Sequence, residues 1–93
     1  MPKLSVGVIG TGSIGNVHLT GYAADKRNVQ ITAICDVNQK RLNEMGEKFG
    51  VPAEKRYRDY KKMLANEQLE AVSVCVPNYL HFPVALDVVK AGL

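Results

Sequence analysis

The stretch L-S-V-G-V-I-G-T-G-S-I-G, residues 4–15, decides the fold that we predict for this 93-residue chain. Residues 4–9 form a short apolar run bounded by glycine, which is typical of a buried β-strand. Residues 10–15 form a G-x-G-x-x-G motif, and from Ser13 onward apolar residues recur at helical spacing. We therefore predict a strand, a tight glycine-rich turn and the beginning of a helix.

The rest of the chain continues this alternation of strand-like and helix-like segments. Pro83 lacks an N–H and is tolerated only in a first helical turn, so the last helix should begin near residues 80–82. The predicted segments are strands at 4–9, 29–35, 54–58 and 71–76, and helices at 13–24, between the N-cap Asn38 and Gly50, from the N-cap Asp59 to about Ala65, and from 80–82 to Gly92. This order is typical of an α/β fold with a doubly wound parallel sheet.

Apolar spacing also predicts which face of each helix is buried. In the first helix, Ile14, His18 and Tyr22 fall on one face with Val17 beside them, so His18 is expected to be a packed histidine rather than a ligand. The other apolar positions at helical spacing are Leu42, Met45 and Phe49 in the second helix, Met63 and Leu64 in the third, and Val84, Leu86, Val88 and Val89 in the last.

Each glycine of the motif has a physical task. Gly10 permits the tight turn, Gly12 lets the backbone approach a pyrophosphate, and Gly15 lets helix and strand pack closely. The N–H groups and the partial positive charge of the helix N-terminus attract phosphates. The residues predicted to bind a dinucleotide here are Gly10, Thr11, Gly12, Ser13, Ile14 and Gly15.

Asp36 follows the second predicted strand and lies 21 residues after Gly15, close to the separation of about 20 expected for an acidic residue that binds the adenosine ribose. The two features together predict a Rossmann-type domain. A carboxylate accepts hydrogen bonds from both ribose hydroxyls and repels a 2′-phosphate, so NAD is favoured over NADP. Lys40 and Arg41 are near enough to accommodate that phosphate, but we expect them to form a solvated helix face.

A third loop, Val76-Pro77-Asn78, ends the last predicted strand, and His81 begins the last helix. Ligands of an open α/β sheet bind beyond the carboxyl ends of the strands, where the strand order reverses. These residues are therefore predicted to face the same crevice as the glycine loop. The alternatives are that Asn78 is a loop or cap residue and that His81 bonds its own backbone.

The string P-N-Y-L-H at 77–81, together with the glycine motif, resembles the glucose–fructose oxidoreductase / inositol dehydrogenase / MocA (Gfo/Idh/MocA) family. The strings that agree are G-N-V-H (15–18), A-I-C-D (33–36), R-D-Y-K-K-M-L (58–64) and A-G (91–92). The resemblance implies the NAD(P)-binding Rossmann domain of an oxidoreductase that acts on sugars, cyclic polyols or related alcohol/carbonyl pairs. It also implies that Asn78 and His81 lie near the nicotinamide-side ribose and are not acid–base catalysts.

Members of that family continue with a strand that carries a catalytic lysine in an E-K-P motif and with a second domain that binds substrate. By this resemblance, residues 1–93 are expected to be the truncated Rossmann domain of a longer, homo-oligomeric enzyme, with the catalytic residues beyond Leu93, and this chain alone is expected to be inactive. The substrate is not indicated. The alternative is a non-catalytic NAD(P)-sensing module, which would use the same glycine loop and Asp36 without transferring hydride.

Composition argues against several other classes of protein. A net charge of +3 and a pI near 9.0 are too weakly basic to indicate nucleic acid or a membrane as partner. Five basic residues lie within 55–62, but we expect them to form a solvated surface. Cys35 and Cys75 lack C-x-x-C spacing, so they indicate no metal site and are expected to be free thiols separated by the first strand. No apolar run is long enough to be a signal sequence or a membrane span, and we expect a cytoplasmic protein.

Overall fold

The computed structural model describes residues 4–25, 27–75 and 78–92, and the side chains of these residues except Ser13, Ile14, Asn16 and those at 78–82. Strands and helices alternate along the chain as predicted. In chain order the elements are β1 (Leu4–Ile9), α1 (Ser13–Ala24), β2 (Val29–Cys35), α2 (Gln39–Phe49), a 3₁₀ turn (Ala53–Lys55), β3 (Arg56–Tyr57), α3 (Tyr60–Asn66), β4 (Ala71–Val74) and α4 (Asn78–Lys90).

The four strands form one parallel sheet in the order β3-β2-β1-β4. The chain proceeds from β1 outward to β3 and then returns to the other side of β1, where Ile9 pairs with Val74. The carboxyl ends of β1 and β4 are therefore neighbours at the reversal of strand order, which is where doubly wound sheets bind ligands. The predicted fold class is confirmed.

The same strand order separates the two cysteines. Cys35 ends β2 and Cys75 follows β4, so the whole of β1 lies between them, about 9.6 Å across at the usual strand spacing. A disulfide requires Cα atoms within about 7 Å. Both cysteines are free, as predicted.

The strands bury side chains on both faces of the sheet, as alternation along a strand requires. One apolar layer packs beneath α1 and α2, and its fully buried members are Val8, Leu19, Ile34, Leu42 and Val51. The other packs beneath α3 and α4, and its buried members are Ile9, Ala33, Cys35, Met63, Val84 and Val88. Helices cover both faces of the sheet, so a ligand can bind only beyond the ends of the strands.

The predicted helix caps are confirmed. The side chain of Asn38 accepts a hydrogen bond from the N–H of Arg41, and that of Asp59 accepts one from the N–H of Lys61. α2 ends at Gly50, whose φ of 70° lies in the left-handed region that favours glycine.

The buried face of α1 differs from the prediction. Leu19 is fully buried and Tyr22 is half-buried, whereas Val17 is 69% exposed. The inward row is thus Gly15, Leu19 and Tyr22, because the close packing of Gly15 against the turn sets the rotation of the helix. The side chain of Ile14 lies outside the described residues.

The beginning of α4 also differs from the prediction. α4 begins at Asn78, so Pro83 lies inside the helix rather than in its first turn. A proline inside a helix costs about 3 kcal/mol. Each buried valine contributes about 1.5–3 kcal/mol, and both Val84 and Val88 are buried on the sheet. Packing of this size offsets the proline.

Two strands are shorter than predicted. β3 comprises Arg56–Tyr57 alone, because the 3₁₀ turn Ala53–Lys55 replaces the beginning of the predicted strand. β4 ends at Val74, although the N–H of Cys75 still donates to the carbonyl of Ile9 at 2.7 Å. Val76 lies outside the described residues.

Candidate dinucleotide-binding site

The turn between β1 and α1 requires glycine at two positions. Gly10 has a φ of 92°, in the left-handed region, and its N–H donates to the carbonyl of Cys35 at 2.7 Å. A Cβ on Gly15 would lie 2.0 Å from the carbonyl oxygen of Gly10. The motif is therefore a compact connection that brings the N-terminus of α1 against the carboxyl end of β1.

The N-terminus of α1 has the features of an anion-binding site. Its N-cap, Gly12, is extended and provides no side-chain cap, and the first turn contains no acidic residue. The positive end of the helix dipole is thus not neutralised by a carboxylate of that turn, and Gly12 leaves open the approach to its N–H groups. These features fit the pyrophosphate of a dinucleotide.

Asp36 is held next to the glycine loop. It follows β2 directly and is 5% exposed. Its Oδ2 accepts hydrogen bonds from the N–H and the hydroxyl of Thr11, both at 2.8 Å, and its Oδ1 accepts one from the N–H of Asn38 at 2.8 Å. These three bonds fix the carboxylate between the first turn of the Rossmann unit and the beginning of α2.

Arg41 completes the hydrogen bonding of this carboxylate. Its Nε lies 3.0 Å from Oδ2 of Asp36, and its Nη2 lies 3.3 Å from Oδ1. Burial by itself raises the pKa of the Asp36 carboxyl, but the hydrogen bonds from Arg41, Asn38 and Thr11 outweigh burial and lower the pKa below its ordinary value. Asp36 is therefore ionised at neutral pH.

Arg41 lies on the exposed face of α2, as expected, but its pairing with Asp36 was not expected. Arg41 is the third residue of α2, and helical side chains lean toward the helix N-terminus, which here is the end nearest Asp36. Its side chain remains 46% exposed. Lys40 is exposed, as expected.

A cavity of about 370 Å³ opens beside the Asp36–Arg41 ion pair. Its size lies in the range of small-molecule sites. A Cβ on Gly12 would lie 3.5 Å from Nη1 of Arg41, so the guanidinium lies against the glycine loop at the cavity wall. The lining residues are Thr11, Gly12, Asn38, Lys40, Arg41, Glu44 and Met45.

The structure brings Gly10–Gly15 and Asp36 together, as the spacing predicted. The third loop is described only in part: the backbone of Asn78 begins α4, at the end of the sheet where β4 and β1 finish. Val76 and Pro77, and the side chains of Asn78 and His81, lie outside the described residues. Their roles stay predictions.

Two features of the site were not foreseen. The hydroxyl of Thr11 bonds Asp36, and Arg41 pairs with it. For Arg41 a signal existed, because a basic residue one helical turn beyond an N-cap lies on the side of the helix that faces the preceding loop. For Thr11 the sequence holds no signal other than its place in the glycine motif.

His18 also has a role that was not foreseen. His18 Nδ1 lies 3.1 Å from the hydroxyl of Ser73, and the hydroxyl of Tyr22 lies 2.5 Å from the same oxygen. His18 as a whole residue is exposed, although its ring contacts the ring of Tyr22 edge-on with centroids 6.5 Å apart. This cluster joins α1 to β4.

The basic residues at 55–62 do not form one solvated surface. Lys55 forms an ion pair with Glu67 at 2.7 Å, and Nε of Arg56 donates to the carbonyl of Val51 at 2.8 Å. The expectation of solvation is wrong for these two residues, because their side chains are used to hold β3 and α3 in place. The basic residues that remain exposed are Arg58, Lys61 and Lys62.

Two further findings concern the part of the chain that the structure describes. It contains no group of three or more His, Cys, Asp or Glu side chains placed to hold a metal ion. Within the same residues, every helix is too short or too polar to cross a membrane.

Comparison with known proteins accounts for this geometry. Residues 4–93 match the Gfo/Idh/MocA family, described as an oxidoreductase family with an NAD-binding Rossmann fold. The chain belongs to this family. The match covers the glycine loop, Asp36 and α4 alike, and it makes NAD the cofactor of this Gfo/Idh/MocA unit. The comparisons give no support to a non-catalytic sensing module.

The relatives of this Gfo/Idh/MocA chain include proteins named as glycoside hydrolases and proteins named as inositol dehydrogenases. It is 37% identical over 98 aligned positions to a glycosyl hydrolase family 109 protein of Parabacteroides distasonis, covering 98% of this chain and 21% of that protein. It is 35% identical over 88 residues to a myo-inositol 2-dehydrogenase of Thermotoga maritima, and this match covers 95% of this chain and 25% of that protein.

A solved structure shows the same fold. It is the WlbA dehydrogenase from Bordetella pertussis in complex with NADH and UDP-GlcNAcA, which matches with a TM-score of 0.89 and 26% sequence identity. The match covers 98% of this chain and 27% of the WlbA chain. The chain thus spans about a quarter of the length of the relatives it matches.

Proposed function

We propose that this chain binds NAD between the glycine loop and α2, as the cofactor-binding part of an NAD-dependent oxidoreductase. The observation that carries the proposal is the buried, ionised carboxylate of Asp36, held by Thr11 and Asn38 beside the N-terminus of α1. A carboxylate at this place accepts hydrogen bonds from the adenosine ribose, and the helix N-terminus donates to the pyrophosphate.

Three groups of residues hold the cofactor in this proposal. Gly10–Gly15 bind the pyrophosphate, and Asp36 binds the adenosine ribose. Val76, Pro77, Asn78 and His81 are assigned to the nicotinamide side of the cofactor, as the family resemblance implies. When bound, NAD supplies the hydride acceptor, and the residues of this chain bind and orient it.

The proposed reaction is the oxidation of a sugar, a cyclic polyol or a related alcohol. Support comes from relatives named as inositol dehydrogenases and from a neighbour solved with a nucleotide sugar. Because this chain spans about a quarter of those relatives, the reaction is that of a full-length protein in which a substrate domain follows this Rossmann unit. A second candidate is glycoside hydrolysis, which is favoured by the 37% identity to a glycosyl hydrolase family 109 protein.

The two candidates differ in their redox balance. Oxidation of an alcohol by NAD accumulates NADH, whereas hydrolysis of a glycoside involves no net oxidation. The test incubates the full-length protein with NAD and a panel of cyclic polyols, sugars, nucleotide sugars and chromogenic glycosides. NADH formation with a polyol or sugar supports the proposal, and glycoside cleavage without net NADH supports the second candidate. NAD binding with neither reaction contradicts both.

The role of Asp36 has its own test. A hydrogen bond to a charged group contributes about 1.5–3 kcal/mol, so Asp36→Ala should weaken NAD roughly ten- to a hundred-fold. The same change should weaken NADP less, because the repulsion of the 2′-phosphate is lost together with the hydrogen bonds. Calorimetry compares the dissociation constants of both cofactors for wild type and variant. Equal effects on the two cofactors would contradict the role of Asp36 in choosing between them.

The proposal extends to the state of the protein in the cell. The free thiols Cys35 and Cys75 suit a reducing compartment, so we expect the protein in the cytoplasm. It is expected to be a homo-oligomer with a dinucleotide and a small-molecule substrate as ligands and without nucleic acid or membrane partners. Size-exclusion chromatography with light scattering of the full-length protein measures the oligomeric state.

A further inference from the structure

The helix whose N-terminus faces the proposed pyrophosphate site, α1, has few apolar anchors. Among its side chains that the structure describes, Leu19 alone is apolar and fully buried. Gly15 packs against the carbonyl of Gly10 and fixes how closely the helix approaches the turn after β1. A surface helix is usually oriented by an apolar stripe along its length. The two contacts of α1 fix its distance from the sheet, but they fix the direction of its axis less firmly.

A polar cluster supplies the missing restraint. The hydroxyl oxygen of Ser73, a residue of β4 that is 9% exposed, lies 3.1 Å from Nδ1 of His18 and 2.5 Å from the hydroxyl of Tyr22. His18 and Tyr22 are one helical turn apart, so they lie on the same side of α1, with Leu19 between them along the axis. Because both side chains meet one buried oxygen, they restrain the tilt and the rotation of α1 on β4.

The direction of α1 matters most at its N-terminus, where the N–H groups are proposed to meet the pyrophosphate. The N-cap Gly12 precedes Gly15 by three residues, a distance of about 4.5 Å along the axis. A tilt of about 10° about Gly15 would therefore move this end by roughly 0.8 Å. The usual range of N–H···O distances is only about 0.5 Å wide, so such a tilt is enough to weaken the bonds to a phosphate.

We propose that His18 and Ser73 are positioning residues for the diphosphate of the dinucleotide, a role that rests on the proposed cofactor site. Neither residue lines the cavity beside Asp36. They act by holding α1 in the direction in which its first N–H groups meet the phosphates. The adenosine half depends on other contacts, because Asp36 is held by Thr11 and Asn38. Loss of the cluster should therefore weaken ligands that contain a diphosphate and spare adenosine.

The test compares His18→Leu, which removes the polar ring atom, with His18→Asn, whose amide places a polar atom at the δ position and can keep the bond to Ser73. Calorimetric titration of the full-length protein measures the affinities for NAD, ADP and adenosine. His18→Leu should weaken NAD and ADP by roughly three- to tenfold, the effect of one lost neutral hydrogen bond, and adenosine by less than about twofold. His18→Asn should restore most of the lost affinity.

The ratio of the ADP and adenosine affinities separates a positioning role from a purely structural one. A purely structural role lowers the melting temperature but leaves this ratio unchanged at temperatures where the variant is folded. Tyr22→Phe, which removes the second bond to Ser73, should shift the ratio in the same direction as His18→Leu. Val17→Ala changes an exposed neighbour on the same helix and should alter neither affinity.

The possible failures are distinguishable. A wild-type ratio in folded His18→Leu and Tyr22→Phe would overturn the positioning role, as would a loss in His18→Asn equal to that in His18→Leu. If wild type itself binds ADP no more tightly than adenosine, the proposed pyrophosphate site is wrong and the positioning role is wrong with it.

Discussion

At the scale of single residues, two glycines at opposite ends of α1 differ in what a side chain would meet. A Cβ on Gly12 would meet only the guanidinium of Arg41, at an ordinary 3.5 Å, and one on Gly21 would meet nothing within 4 Å. Gly12→Val should therefore fold, yet it should abolish measurable NAD binding, because the added methyl groups fill the approach to the N-terminus of α1. Calorimetry with NAD measures the effect.

Gly21→Ala is the matched control for Gly12→Val. It should leave NAD affinity unchanged and stabilise α1 by roughly 0.5–1 kcal/mol, because alanine loses less backbone entropy than glycine in a helix. Wild-type affinity in Gly12→Val would remove the glycine loop from the site.

Glu67 is a second residue whose role can be measured, in this case through pH. Burial raises the pKa of its carboxyl, but the bonds from Lys55 and Tyr57 outweigh burial and lower the pKa below its ordinary value. A carboxyl whose pKa is lower in the folded state contributes stability above its unfolded pKa, and this stability is lost as the pH falls through the folded pKa. Glu67→Gln should therefore cost about 1–3 kcal/mol at pH 7 and much less below about pH 4.

Urea denaturation of wild type and Glu67→Gln across this pH range measures the difference in the free energy of unfolding. Glu54→Gln, which changes an exposed carboxylate in the adjacent 3₁₀ turn, serves as the control and should show no comparable pH dependence. A cost for Glu67→Gln that is the same at pH 7 and at acidic pH would contradict the ion-pair account.

The candidate site was predictable where the backbone determines it and not where a long side chain does. Gly10 and Gly15 are required by the turn itself, and Asp36 lies at a strand end whose position follows from the parallel sheet. Arg41 was assigned to a solvated face, because its place one helical turn beyond Asn38 indicates only that it can face the preceding loop and does not by itself specify a bond to Asp36. That contact depends on the placement of α2 against β2, which is a property of the tertiary structure.

At the scale of elements, a polar cluster joins α1 to β4, while Leu19 of α1 packs in the apolar layer with Val8 and Ile34. Ser73 on β4 is 9% exposed and bonds both Tyr22 and His18 on α1. Ser73→Ala leaves the hydroxyl of Tyr22 and the ring of His18 without this partner and should cost about 1–3 kcal/mol. Urea denaturation should show a lower midpoint with an unchanged slope.

Val17→Ala is the control for Ser73→Ala, because Val17 lies on the same helix and is 69% exposed. It should change the free energy of unfolding by no more than about 0.5 kcal/mol. If Ser73→Ala is as stable as wild type, the cluster does not hold α1 on β4.

The elements themselves were predicted with unequal success, and the reason is physical. β1, α1 and β2 have the predicted bounds. Gly10 marks the end of β1, Gly12 precedes α1, and β-branched residues make up most of β2. α4 begins earlier than predicted, because the cost of Pro83 was judged for the helix alone. The burial of Val84 and Val88 against the sheet is a long-range contribution that local patterns do not reveal.

At the scale of the whole molecule, the reversal of strand order accounts for the position of the site. β1 lies between β2 and β4, so the glycine loop has Asp36 on one side and the beginning of α4 on the other. An adenosine at Asp36 and a nicotinamide near α4 would thus bind on opposite sides of one phosphate loop. The arrangement explains why a single G-x-G-x-x-G turn can position both halves of a dinucleotide.

The same architecture leaves a surface that we expect to associate. Among the described strands β4 pairs with β1 alone, and α4, which packs on β4, exposes Leu86 and Val89 by 42% and 65%. An unpaired strand edge next to exposed apolar side chains favours association with another chain. The isolated 93-residue chain should therefore self-associate with increasing concentration, as measured by light scattering. Leu86→Glu combined with Val89→Lys should reduce the association, whereas Val17→Glu, on the helix layer across the sheet, should not. A monodisperse monomer at all concentrations would contradict this expectation.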